Sequence, residues 1–123
     1  MLGELLGEAA RRFGDRPAYV GENELVVSYR DLDRVSDEVA AALAGRGVGE
    51  GDVVALVLPT IPEYAVAYLA AAKVGAVTAG VNARLSARER DGVLSVADPK
   101  LVFAARELAP DAYDVVEVTP AAA

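Results

Sequence analysis

Between Val53 and Arg84 the apolar positions fall into two short runs flanking a longer one. Val53–Leu58 has no polar interruption and stops at Pro59, Tyr64–Ala72 is nearly all apolar and ends at Lys73 and Gly75, and Val77–Val81 leads into the polar Asn82–Arg84. Length and β-branching separate these runs: short blocks bounded by turn residues make buried strands, and the longer block makes a helix. The pattern predicts a buried strand, helix and strand around which the other elements pack.

The flanking pattern supplies those elements. Leu2, Leu5, Leu6, Ala9, Ala10 and Phe13 recur at helical spacing and predict an amphipathic helix that stops at Gly14-Asp15-Arg16-Pro17. Pro17–Val20 and Leu25–Ser28, joined through Gly21-Glu22-Asn23, predict a hairpin. Ser28 with Asp31, Thr60 with Glu63, and Ser86 with Glu89 each place a capping hydroxyl three residues before an acid, the signature of a helix start. The first of these helices carries the stripe Leu32, Val35, Val39, Ala40, Leu43 and ends in Gly45-Arg46-Gly47. The second has Pro62 in its first turn, where a missing N–H costs nothing. The third runs to about Val96 and closes at Asp98-Pro99, ahead of strand-like runs at Leu101–Ala104 and Val115–Val118. Strands without polar alternation are covered on both faces, so the expected fold is α/β. A layered, mostly parallel sheet carries capped helices on both faces, with a short hairpin near the N-terminus.

Composition narrows the function classes. At 123 residues the chain suits one domain with a real core, and a hydrophobic fraction of 54% suggests surface that another part of a protein covers. The net charge of −7 and the lack of a basic patch argue against a nucleic-acid partner. There is no Cys, hence no disulfide or thiolate chemistry, and no His, the usual general base and commonest metal ligand. The opening MLGELLGEAARRF carries Glu4 and Glu8 and lacks the basic start of a signal peptide. Lys73 and Gly75 interrupt Ala65–Val81, so no transmembrane segment is expected, and a cytoplasmic protein follows.

Candidate chemistry is sparse. Gly45-Arg46-Gly47-Val48-Gly49-Glu50-Gly51 follows a helix and enters a strand, the reverse of a phosphate-binding turn, and lacks a Gly-Lys-Ser/Thr ending. The three capped helix starts have no glycine loop before them and are expected to be simple caps. The carboxylate pairs Asp31/Asp33, Asp37/Glu38 and Glu22/Glu24 are expected to be solvated surface. Ser28, Ser36, Ser86 and Ser95 have no base partner in the sequence, and Lys73 is expected to be a helix-end cation favoured by the dipole. Residue chemistry alone stops at an α/β domain with no catalytic residue and no metal site.

Resemblance carries the reading further. Ser28-Tyr29, Gly51-Asp52-Val53-Val54-Ala55, Leu58-Pro59, Glu63-Tyr64, Lys73-Val74-Gly75-Ala76-Val77 and Asn82-Ala83-Arg84-Leu85 stand in the order and spacing of a known pattern. It is similar to the amino-terminal part of the adenylate-forming (AMP-binding) superfamily: acyl-CoA synthetases, fatty-acid CoA ligases, adenylation domains and luciferases. Thr60 stands where Asn is common, and Ala79-Gly80-Val81 replaces the usual Pro-containing approach to the loop. The resemblance implies that residues 1–123 are an amino-terminal fragment of the large domain of an acyl-CoA synthetase, part of a larger subdomain, with no complete second domain. The implied parent reaction is ATP-dependent adenylation of a carboxylic acid followed by thioester formation with CoA, with ATP, Mg2+ and CoA as its cofactors. The Asn-x-Arg-Leu loop is more typical of CoA ligases, including those of fatty acid metabolism, than of peptide-synthetase domains.

The family's phosphate loop, Tyr-Gly-x-Thr-Glu motif, ribose-binding Asp and carboxy-terminal Lys do not occur in these residues. The chain alone is therefore expected to be inactive and to bind no cofactor tightly. Arg84 is the one candidate ligand contact, toward a CoA phosphate; its structural alternative is a surface cation that pairs with Glu89 or stays solvated. Expected partners are the carboxylic acid substrate, the remaining part of the enzyme and, through exposed apolar surface, a second copy of the chain. The alternatives are a free-standing non-catalytic interaction module, a peptide-synthetase adenylation fragment and a flavodoxin-like binding domain. The last needs acidic or glycine-rich strand ends that Leu58-Pro59 and Val81-Asn82 do not provide.

Overall fold

The computed structural model describes residues 17–20, 26–59 and 62–118. The expected helix Leu2–Phe13, the cap at Thr60 and the tail from Thr119 lie outside the described residues. Strands β1 (Pro17–Val20) and β2 (Val26–Ser28) pair antiparallel, as the hairpin pattern predicts. Helix α1 (Tyr29–Gly45) follows directly, then strand β3 (Val53–Val57), helix α2 (Pro62–Lys73) and strand β4 (Val77–Gly80). Helix α3 (Ala87–Ala97), strand β5 (Leu101–Ala105), a 3-10 turn at Arg106–Leu108 and strand β6 (Val115–Val118) complete the order.

The main sheet runs β4-β3-β5-β6, and every pairing in it is parallel. Parallel neighbours need crossovers, and here α2 joins β3 to β4 while α3 joins β4 to β5. Alternation along the strands feeds two cores. Val54, Leu56, Leu101 and Phe103 pack with Leu43 of α1 and Ala67, Ala70 and Ala71 of α2. Ala55, Val57, Val102 and Ala104 face the other way, against Leu94 of α3. Strands β3 and β5 are therefore buried on both faces, which explains their unbroken apolar runs.

The helix ends follow from their local chemistry. Ser28 accepts a hydrogen bond from the Asp31 N–H, and Ser86 and Glu89 form a complete, reciprocal capping box. Gly75 stops α2 at φ 78°, and its carbonyl accepts from Gly51 N at 3.1 Å, so a left-handed turn feeds β4 beside β3. At the end of α3 the left-handed position falls on Asp98, φ 48°, a residue type that tolerates it, with Pro99 next.

Candidate functional site

In an open parallel sheet, ligand chemistry concentrates outside the carboxyl ends of the strands, where the connection order reverses. Here the chain leaves β3 for β4 on one side and reaches β5 on the other, so the reversal lies between β3 and β5. The carboxyl edge is made of Leu58-Pro59 after β3, Val81–Leu85 after β4 and Arg106–Leu108 after β5.

The segment after β4 is the best-built part of that edge. Val81 N donates to Leu56 O at 2.9 Å, extending the ladder one residue past Gly80. The Asn82 side chain then accepts from Arg84 N at 2.9 Å while its carbonyl accepts from Leu85 N at 3.2 Å, a tight turn held by its own amide. Downstream, Ser86 N donates to the Glu89 carboxylate at 3.1 Å, and Glu89 N donates to Ser86 Oγ at 3.2 Å. Arg90 adds a bond from its guanidinium to Leu85 O. The Ser86 N–H, then the Ser86 hydroxyl, hold the Glu89 carboxyl below its usual range.

This frame presents Arg84 to solvent. Among the described residues no carboxylate pairs with its guanidinium, and Glu89, its expected surface partner, is engaged by Ser86 instead. Tyr64 of α2 reaches the same end of the sheet: a Cβ at Gly80 would lie 3.1 Å from its hydroxyl. The Glu63-Tyr64 pair and the Ala79-Gly80-Val81 approach, far apart in sequence, are thus neighbours.

The carboxylate pair Glu22/Glu24 lies outside the described residues, and the serine candidates Ser28, Ser36 and Ser86 are structural. Ser36 is fully buried and donates to Leu32 O, with Asp33 O at 3.1 Å; Ser28 and Ser86 are caps. The reading of Asp37 as solvated surface holds, since its side chain is 65% exposed, and that of Asp33 is corrected to half-buried; both carboxylates are also engaged in ion pairs. Lys73 Nζ donates to Asp33 Oδ1 at 2.9 Å, Asp37 Oδ1 at 2.7 Å and Asp33 O at 3.0 Å, with the lysine side chain only 11% exposed. Lys73 therefore clamps α2 to α1 as well as ending its own helix. The sequence signal was the spacing of the two acids, four apart on one helical face; their partner lies 40 residues from Asp33 and 36 from Asp37. Among the described residues no group of three or more His, Cys, Asp or Glu side chains could hold a metal ion. No helix of the described residues is long and apolar enough to cross a membrane.

Comparisons with known proteins give this edge a context. The long-chain-fatty-acid–CoA ligase of Salmonella typhimurium is 34% identical over 119 residues, covering 96% of this chain and 21% of that protein. The medium/long-chain-fatty-acid–CoA ligase FadD6 of Mycobacterium tuberculosis is 33% identical over 107 residues, covering 87% of this chain and 18% of that protein. Among solved structures, the Klebsiella oxytoca NpsA N-terminal subdomain in complex with 3-hydroxybenzoyl-AMSN superposes with a TM-score of 0.83 at 29% identity. That superposition covers 94% of this chain and 29% of the other. The chain thus spans about a fifth of the length of the curated relatives it matches. The model of the AMP-binding enzymes matches residues 6–122, and the chain belongs to that family.

Proposed function

We propose that this chain is the amino-terminal part of an AMP-forming acid–CoA ligase, in which it forms one wall of the catalytic domain. The observation that carries the reading is the family match over residues 6–122, joined to the Asn82–Leu85 turn held at the carboxyl edge. The parent reaction joins a carboxylic acid to AMP with release of pyrophosphate, then passes the acyl group to the CoA thiol. ATP and Mg2+ serve the first step and CoA the second. The described residues do not fit the first step: no metal-ligand cluster and no glycine turn opening a helix are among them. This chain's part is to bind and orient, with Arg84 meeting a CoA phosphate. An exposed guanidinium on a turn pinned from both sides suits that task, because a phosphate is best met by a fork whose backbone does not move.

The isolated chain is expected to give no ATP–pyrophosphate exchange with any acid. Turnover at family rates would refute its assignment to a positioning role. A second reading, an adenylation-domain fragment of the peptide-synthetase type, draws on the similarity to NpsA. The acceptor separates the two: the intact enzyme transfers its acyl group to free CoA on the first reading and to a carrier protein on the second. Cytoplasmic localisation and a role in fatty acid metabolism belong to the first reading and are tested with it.

Apolar exposure fits a chain that contacts more protein. Val77 on the edge strand β4 and Val96 on α3 are 56% and 89% exposed. The rest of the enzyme covers this surface in the intact protein, and the isolated chain self-associates. A monodisperse monomer by light scattering would count against both statements.

A further inference from the structure

Gly80 is a glycine that the backbone does not require. It ends β4 in regular parallel register, paired with Leu56, so no bulge calls for it. Its φ is not positive either; among the described glycines the positive values fall at Gly47, Gly51 and Gly75. A glycine in a strand weakens it, and where no bulge or bend explains it, a close approach to the backbone does. Here the approaching group is the Tyr64 hydroxyl, 3.1 Å from the position a Cβ would take. The same segment, Ala79-Gly80-Val81, is where the chain departs from the family's Pro-containing approach to the loop, so the space belongs to this chain's own sequence.

The hydroxyl has a fixed place and no protein partner. The Tyr64 ring packs, half-buried, against the core that α1 and α2 share with β3 and β5. Among the described residues no hydrogen bond reaches the hydroxyl, and no buried side-chain oxygen or nitrogen lacks a partner, so this one opens to solvent. It opens next to the Asn82–Leu85 turn, at the end of the sheet where ligands of open parallel sheets gather. A phenol on a packed ring has little freedom left to lose when its O–H meets a ligand. We infer that Tyr64 is a second contact for CoA. Its hydroxyl donates a hydrogen bond to an oxygen of that ligand on the α2 side of the turn, while Arg84 meets a phosphate. Gly80 is the positioning residue that leaves the hydroxyl its place. This inference rests on the CoA-ligase reading proposed above.

The test is made on the intact enzyme, whose own CoA-dependent thioester formation checks the ligase reading first. Tyr64→Phe keeps the ring and removes only the hydroxyl. It is expected to raise the KM for CoA about three- to tenfold, the loss of one neutral hydrogen bond. The KM for ATP and the thermal midpoint are expected to stay at the parent values. Gly80→Ala is expected to raise the KM for CoA by pushing the hydroxyl aside, and to add nothing in a Tyr64→Phe background. An unchanged KM for CoA in Tyr64→Phe overturns the inference and leaves the ligase reading standing. An equal effect of Gly80→Ala in both backgrounds also overturns it, because the glycine would then serve the strand and not the hydroxyl. So does a rise in the KM for ATP by the same factor as that for CoA. An intact enzyme that forms no CoA thioester overturns the reading and the inference together.

Discussion

The two ends of the parallel sheet are built differently. At the amino end each strand start is tied to a neighbour. Asp52 accepts from Gly49 N at 2.8 Å, and Lys100 Nζ donates to Gly47 O at 2.7 Å and lies 3.5 Å from Asp52. Val77 N donates to Asp52 O, Lys100 N to Val53 O, and Arg46 pairs with Asp114 at 3.4 Å. Apart from the local Gly49–Asp52 bond, these bonds run between segments and fix β3, β4, β5 and β6 relative to one another. At the carboxyl end the bonds after β4 are local, holding one turn in shape and leaving its arginine to solvent. The amino end is concerned with holding the fold, and the carboxyl end with presenting side chains.

The sharpest way to break this contrast is at Gly75. Its φ of 78° is one that L side chains rarely adopt, and an added Cβ would meet Glu50 Cα at 3.3 Å, backbone that cannot swing aside. Gly75→Ala is expected to cost about 1–3 kcal/mol, read as a lower urea midpoint at unchanged slope. A midpoint within error of the parent would show that the amino end tolerates change as freely as the carboxyl end.

Lys73→Met is next. It keeps most of the apolar stem while removing three hydrogen bonds to α1. Lys73 is mostly covered but Asp37 is 65% exposed, so the loss falls between a buried and a surface pair, about 1–2 kcal/mol. A double-mutant cycle with Asp37→Asn should show coupling. Strict additivity would mean that the clamp contributes nothing as a pair.

A smaller effect follows acid. The Asp52 carboxyl is held below its usual range, first by the Gly49 N–H and then by Lys100, against an opposing contribution from burial. A depressed native pKa stabilises the fold above the unfolded value, and that stabilisation disappears as pH falls through the native one. Asp52→Asn should therefore lower the urea midpoint at pH 7, with the gap to the parent closing from about pH 5 downward. Glu89→Gln behaves with the same sign, since Ser86 depresses that carboxyl. A gap that stays constant with pH would separate either residue's role from its charge.

The contrast also explains what sequence could reveal. Val53–Leu58 and Leu101–Ala104 are legible as buried parallel strands because both their faces are covered, and burial on both faces leaves no polar alternation. Caps at Ser28 and Ser86 are legible because their partners lie three residues on. The Lys73 clamp and the contact of Tyr64 with Gly80 depend on how helices and strands lie together in space, and no local spacing encodes that. The same holds for the amino-end stitches: Lys100 with Gly47 spans 53 residues. Arg84 was legible as a residue of interest only through the family pattern around it. The structure adds that its turn is preformed and that its expected partner Glu89 is already engaged by Ser86.

The smallest expected change in stability is at Arg84, and it bears most on function. An exposed side chain without an ion-pair partner among the described residues contributes little to folding. Arg84→Ala should therefore shift stability by less than about 0.5 kcal/mol. In the intact enzyme the same variant should raise the KM for CoA and leave that for ATP unchanged, with Arg84→Lys recovering part of the loss through charge without the planar fork. The split matters because a general disturbance of the sheet would move both constants together and lower the urea midpoint as well. An unchanged KM for CoA would remove Arg84 from the binding site and leave the turn after β4 as a purely structural feature.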